Sequence, residues 1–304
     1  MFRLFPYIRK YAGWVMLAIV LLFVQANADL ALPDYLSRIV NIGLQQGGVE
    51  SALPDALRTE TYDHMLLFLT PAEQAQVQAA YARLEPSAAG YADVAAKYSA
   101  LNGQALYVLQ TLDAAQREAL TPIVGRGLVT LSFLQQLQSD PEKMAAMGQG
   151  LGFDPSKLPP GMTLLDVLGK MPPEQRAGMI TSIQERFATL GESMINQMGI
   201  AAARAELEAL GVNMTVVQSS YILRTGGMML LITLLSVAAT ILVGLISARV
   251  AAGAARDLRE AVFVRVSDFG GAEIEKFSTA SLITRATNDV NQMQMLTMIV
   301  IRMV

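Results

Sequence analysis

The sequence of 304 residues contains no cysteine, which removes disulfides, thiol catalysis and thiolate metal sites together. It has a single histidine, His64, so neither a multi-histidine metal site nor paired-histidine chemistry can be built within one chain. Charge is scarce too. Charged residues make up 16% of the chain, where a soluble domain carries about 25%, while hydrophobic residues reach 53% and mean hydropathy is +0.38. A disordered or fibrous protein is thereby excluded. Basic and acidic residues nearly balance, 23 against 26, and this lack of a basic footprint argues against nucleic acid as a partner. No G-x-x-x-x-G-K-[ST] phosphate loop occurs, so no nucleotide site is expected in these residues.

Two long runs have no charge at all. Tyr11 to Ala28 is uncharged over 18 residues and follows Arg3, Arg9 and Lys10; Thr225 to Ala248 is uncharged over 24. At 1.5 Å per residue the second run crosses a hydrocarbon core of about 30 Å with some tilt. Arg249, Arg256, Arg259 and Arg265 follow it, whereas Arg224 is the only basic residue in the 20 positions before it. The positive-inside rule therefore puts the chain beyond Arg249, and the N-terminus with it, in the cytoplasm. Residues 42–223, with 11 basic and 18 acidic side chains, then lie outside. The first run also fits a cleaved signal peptide ending in Ala26-Asn27-Ala28. Against cleavage, apolar residues resume at Leu30, Leu32, Tyr35, Leu36, Ile39 and Val40, which predicts one long helix from about 11 to 43. Asp29 would sit near its outer interface as a hydrated flank.

The stretch between the runs is long enough for a domain with its own core and reads as helical. Thr70-Pro71-Ala72-Glu73 has capping-box spacing with proline at the first helical position; Asp113 to Gln116, Asp140-Pro141-Glu142 and Pro173-Glu174-Gln175 are further helix starts. Strand alternation is weak, so an all-α insert is expected. Glycine and proline crowd residues 147–161, the signature of a loop between sub-bundles. His64 beside Asp63 reads as a partly buried helix residue, not a ligand. Asn213-Met214-Thr215 matches a glycosylation sequon that matters only in a secretory eukaryotic setting.

After the second run, Ser236, Thr240, Gly244, Ala248 and Ala252 recur every four residues and suggest a small-residue packing ridge. Leu258, Val262, Val266 and Phe269 keep an apolar stripe as far as Gly270-Gly271, predicting a helical stalk of roughly 30 Å beyond Arg249. Ser278 to Ser281 could cap a helix bearing Leu282, Ile283, Ala286, Val290, Met293 and Leu296. From Met293 the chain is apolar again and stops at Val304, as if a third span were cut short; it reads as a fragment.

Arg256-Asp257-Leu258-Arg259, Phe277 to Arg285 (FSTASLITR) and Thr287-Asn288-Asp289-Val290 resemble the first intracellular loop of type I ABC exporters, the multidrug and lipid-type transporters. The N-terminal part is similar as well, with its basic start and Ala28-Asp29-Leu30-Ala31-Leu32-Pro33 at the outer end of the first helix. The resemblance covers about residues 1–45 and 216–304. It implies an all-α membrane protein with long transmembrane helices extending into the cytoplasm and an inserted helical extracellular domain. It further implies a half-transporter of the plasma membrane that pairs with a second half and with a nucleotide-binding domain, where ATP and Mg²⁺ would bind. No catalytic, cofactor or metal residue falls in this segment.

The chain then divides into 1–45 (N-terminal segment and first span), 46–215 (insert), 216–269 (second span and stalk), 270–279 (coupling helix) and 280–304 (returning stalk). Phe277 would anchor the coupling helix in the ATPase domain, with Glu273, Glu275, Lys276, Ser278 and Thr279 around it. Arg285, Asn288 and Asp289 would hold the returning helix to its neighbours. A two-span sensor with an exterior ligand-binding domain is the competing reading, separated by whether the segment beyond Met293 re-enters the bilayer.

Overall fold

The computed structural model describes residues 7, 9–138, 164–171, 178, 181, 191–270 and 277–303. It is mostly helical and contains two helices long and apolar enough to cross a membrane. The chain separates into two units, Met1–Ser37 with Thr225–Val304, and Arg38–Arg224. Helix α1 (Ala12–Arg38) begins the chain and widens into a π-helical segment, Ile39–Gln45. Such a helix pairs its own backbone polar groups, as a low-dielectric surrounding demands. Pro33 is the exception inside it, because it has no N–H to give to the Asp29 carbonyl four residues earlier.

In the second unit the chain forms β1 (Ala56–Arg58), α2 (Thr59–Leu66), α3 (Pro71–Ala80), β2 (Tyr81–Leu84), α4 (Tyr91–Ala95), β3 (Leu106–Leu109), α5 (Ala114–Gln138), α6 (Leu164–Lys170) and α7 (Glu192–Ala209). The strands form an antiparallel sheet in the order β1-β3-β2, with Leu57 opposite Tyr107 and Arg83 opposite the same residue from the other side. The insert is therefore α+β, not all-α. Strands of three or four residues offer too few positions for a period of two to stand out in the sequence.

Helix starts follow the chemistry expected of them. Thr70 accepts from the Glu73 N–H and the Glu73 carboxylate accepts from the Thr70 N–H, a complete capping box. Asp113 and Gln116 reciprocate in the same way before α5. The starts at Asp140 and Pro173, and the glycine-rich stretch 147–161, lie outside the described residues.

The core of this unit gathers Leu57, Tyr62, Met65, Val77, Tyr81, Val124 and Leu128 between the sheet and the helices. Each large side chain fully buried there is worth about 1.5–3 kcal/mol. Helices α5 and α7 approach closely because both carry glycine at the crossing: a Cβ on Gly199 would lie 3.2 Å from the Gly125 Cα and 2.9 Å from the Ala52 Cβ. One carboxylate ties α7 to the sheet. Glu206, only 4% exposed, accepts from the Arg58 N–H (2.8 Å), the Arg58 guanidinium (2.7 Å at Nη2) and the Thr61 hydroxyl (2.9 Å). The Glu206 bond and charge hold the Arg58 guanidinium above its ordinary range, against the opposing effect of burial.

The last helices are α8 (Met214–Ser267), α9 (Thr279–Thr284) and α10 (Val290–Met303), with a π-helical segment Arg285–Asp289 joining the last two. Helix α8 runs 54 residues without a proline. Its start is capped by Asn213, whose Oδ1 accepts from the Val216 N–H at 3.2 Å. The sequon asparagine is thus a helix cap.

Candidate functional site

In the first unit, α1 and α8 pair antiparallel with almost no slip. The Tyr11 ring seats on Gly253, where a Cβ would fall 2.6 Å from the Tyr11 Cζ, and 18 residues later Asp29 meets Ser236, 17 residues back along α8. Ala18, Ile246, Val250 and Ile301 are buried together between these levels, so α10 returns against the same two helices. At the Tyr11 end, Asp257 accepts from the Tyr11 hydroxyl (3.3 Å) and from the Lys10 ammonium (3.2 Å) and pairs with Arg256. This clamp needs glycine at 253, since any side chain would occupy the ring's seat.

The buried face of α8 passes through Ser236, Ala239, Val243, Ile246, Ser247, Val250, Ala251, Ala254 and Ala255. Taken once per turn from Ser236 through Ala239, Val243 and Ile246 to Val250, its steps alternate between three and four residues. The expected ridge follows it only at the start: Ser236 is buried and Thr240 half-buried, Gly244 has nothing within 4 Å of a Cβ position, and Ala248 and Ala252 are exposed within this unit. A strict four-residue repeat gains about 40° per step on a helix of 3.6 residues per turn and walks off the face.

Asp29, read from the sequence as a hydrated flank, also has a hydrogen-bond partner on α8. Its Oδ1 accepts from the Ser236 hydroxyl at 2.6 Å, while the carboxylate stays exposed within the unit. Thr240, one turn further along, donates to the Ser236 carbonyl at 2.9 Å. The contact joins positions 207 apart in sequence, and no local pattern announces it.

At the far end of α8, Phe269 and Phe277 stack with ring centroids 6.0 Å apart and planes 18° from parallel. Ser278 caps α9 by accepting from the Ser281 N–H at 3.2 Å, and Thr279 is the first residue of that helix. Glu273, Glu275 and Lys276 lie outside the described residues. Arg285, Asn288 and Asp289 occupy the π-helical segment and are exposed within the unit. A polar link between α8 and the returning helix joins Arg259, whose Nη2 donates to Asn291 Oδ1 at 2.6 Å; Asn291 was not selected from the sequence.

The second unit offers an open cleft of about 910 Å³ between α5 and α7, lined by Glu118, Thr121, Arg126, Ser193 and Asn196 among others. Arg126 is already committed to Glu73 at 2.6 Å. His64 is half-buried on α2, and its buried Nδ1 has no hydrogen-bond partner among the described residues. Among the described residues no group of three His, Cys, Asp or Glu could hold a metal ion.

Comparison with known proteins finds partial matches to ABC transporter proteins. An uncharacterized ABC transporter ATP-binding protein of Mycobacterium bovis and one of Mycobacterium tuberculosis are each 33% identical to this chain over 107 residues. The match takes in 33% of this chain and 18% of each relative, so the chain corresponds to under a fifth of their length. No family model and no solved structure matches. The chain is distantly related to ABC transporter proteins.

Proposed function

We propose that this chain is the N-terminal part of the transmembrane domain of a type I ABC exporter, with α1 and α8 as its first two spans and α10 as the start of a third. The observation that carries the reading is the path of the chain around Ser267. Helix α8 continues 18 residues past the arrival of charge at Arg249, roughly 27 Å, and α10 then returns to pack its Ile301 against Ala18 and Val250. A stiff rod gripped at its tip converts a small movement there into rearrangement at membrane depth. The tip lies where Phe269 and Phe277 stack, and a nucleotide-binding domain would engage there through Phe277, with Glu273, Glu275, Lys276, Ser278 and Thr279 as the proposed further contacts. ATP and Mg²⁺ would be bound by that domain and not by these residues. A second half-transporter would complete the pathway, and the α+β insert would stand on the outer side of the plasma membrane.

The absence of cysteine from these residues makes thiol labelling the direct test. In the full-length protein, Ser267→Cys should react with an impermeant thiol reagent only from the cytoplasmic side and Asn102→Cys only from outside. Val300→Cys should be protected within the bilayer. Free aqueous reaction of Val300→Cys would replace the exporter with the two-span receptor.

A further inference from the structure

The Asp29–Ser236 contact fixes the depth of a charge. Ser236 is at the middle of the uncharged run Thr225 to Ala248, and Asp29 is held beside it by a 2.6 Å hydrogen bond. Arg249 marks where charge begins on α8, 13 residues or about 20 Å from Ser236; in a core of about 30 Å this leaves Asp29 roughly 10 Å inside the outer boundary. A carboxylate at that depth is costly unless something compensates it. Within this pair of helices nothing cationic does so, because no lysine or arginine lies within eight residues of Asp29 on α1 or of Ser236 on α8. The surroundings are rich in acceptors instead. Pro33 leaves the Asp29 carbonyl without its helical donor, and the Ser236 hydroxyl is already spent on the carboxylate. Gln25 and Thr240 stand one turn away in the same antiparallel register. In the bilayer that the exporter reading supplies, position 29 thus gathers negative potential at low dielectric, and it is accessible within its unit.

We infer that Asp29, oriented by Ser236, is a specificity-determining residue that recognises a positively charged group on the transported compound. This rests on the exporter reading, which supplies the bilayer around α1 and α8. Ser236 acts as a positioning residue: it pins one carboxylate oxygen and leaves the other to meet the ligand. A cation entering here would gain an ion pair strengthened by the apolar surroundings, whereas an anion of the same shape would be repelled.

The probes are tetraphenylphosphonium and tetraphenylborate, which share a shape and differ in the sign of charge. Equilibrium binding of each is measured on the intact transporter with its ATPase domain in detergent, alongside ATP hydrolysis. Wild type is expected to bind the cation at least about tenfold more tightly than the anion. Asp29→Asn should lose that preference through weaker cation binding alone, Asp29→Glu should retain most of it, and Ser236→Ala should weaken the cation about two- to threefold. Absence of a charge preference in wild type would overturn the inference, as would undiminished cation binding by Asp29→Asn or equal loss of both probes. If Asp29→Asn does not fold, Ser236→Ala decides, and unchanged cation affinity there counts against the inference. A wild type that binds the cation but never hydrolyses ATP would sink the exporter reading while leaving the charge site standing. Hydrolysis with no charge selection would do the reverse.

Discussion

The Tyr11 ring rests on the bare backbone of Gly253, and its hydroxyl reaches Asp257 one turn away. A glycine inside a helix ordinarily costs about 1 kcal/mol relative to alanine, and here that cost makes room for an aromatic contact between two helices.

The seat gives a prediction in which a sign reverses. Gly253→Ala should lower the thermal stability of the protein in detergent, because the added methyl overpacks against the ring by about 1–3 kcal/mol. In a Tyr11→Ala background the same substitution should become stabilising by about 1 kcal/mol, since only helix propensity then remains. Equal effects in both backgrounds would show that the ring does not occupy the seat.

Glu206 joins β1, α2 and α7 through one carboxylate. Glu206→Ala should destabilise the insert by about 2–3 kcal/mol, because it leaves the half-exposed Arg58 and the buried Thr61 without their shared acceptor. Thr61→Ala should cost far less, about 1 kcal/mol, as the guanidinium remains to satisfy Glu206. Limited proteolysis of the intact protein ranks the two.

The insert should also fail at high pH in a defined window. Burial raises Tyr62 from 10.0 to about 12, and Tyr81, whose hydroxyl donates to the Pro54 carbonyl at 2.7 Å, lies well above its ordinary value for the same reason. Folding therefore holds these protons more tightly than the unfolded chain does. Their contribution is complete below about pH 10 and is lost as pH rises toward 12. Tyrosinate absorbance of the intact protein should show a late group of tyrosines ionising together with loss of secondary structure; a titration finished near pH 10 would contradict it.

Phe277→Asp should uncouple ATP hydrolysis from transport in the intact protein without lowering expression. Phe269→Leu keeps an apolar partner beneath the ring and should preserve most transport. Full transport by Phe277→Asp would remove Phe277 from the coupling role, and equal damage from both changes would assign the effect to the turn itself.

What the sequence disclosed was chemistry confined to a few neighbouring residues. The Thr70–Glu73 and Asp113–Gln116 caps, the Ser278 cap and the unbroken stalk were legible because donor, acceptor and periodicity all lie within one or two turns. The sheet was not, because its strands are too short to show a period and pair Ala56 with Val108, 52 positions away. Within this unit the buried face of α8 parts from the four-residue ridge after Thr240, since residues at that spacing share one side of a helix for only a turn or two. Asp29 was visible as an acid at the end of an apolar run. Its partner Ser236 had to come from the tertiary pairing of α1 with α8.

Helix α8 holds its ladder from Met214 to Ser267 with no proline to loosen it, a length of roughly 80 Å. An uninterrupted shaft of this kind resists stretching and passes rotation along its axis. Turning the Phe269 end by even part of a helical step would swing Ser236 away from Asp29 and break their hydrogen bond. Rotation of the shaft would in this way set whether the Asp29 carboxylate is held in place by Ser236 or released from it.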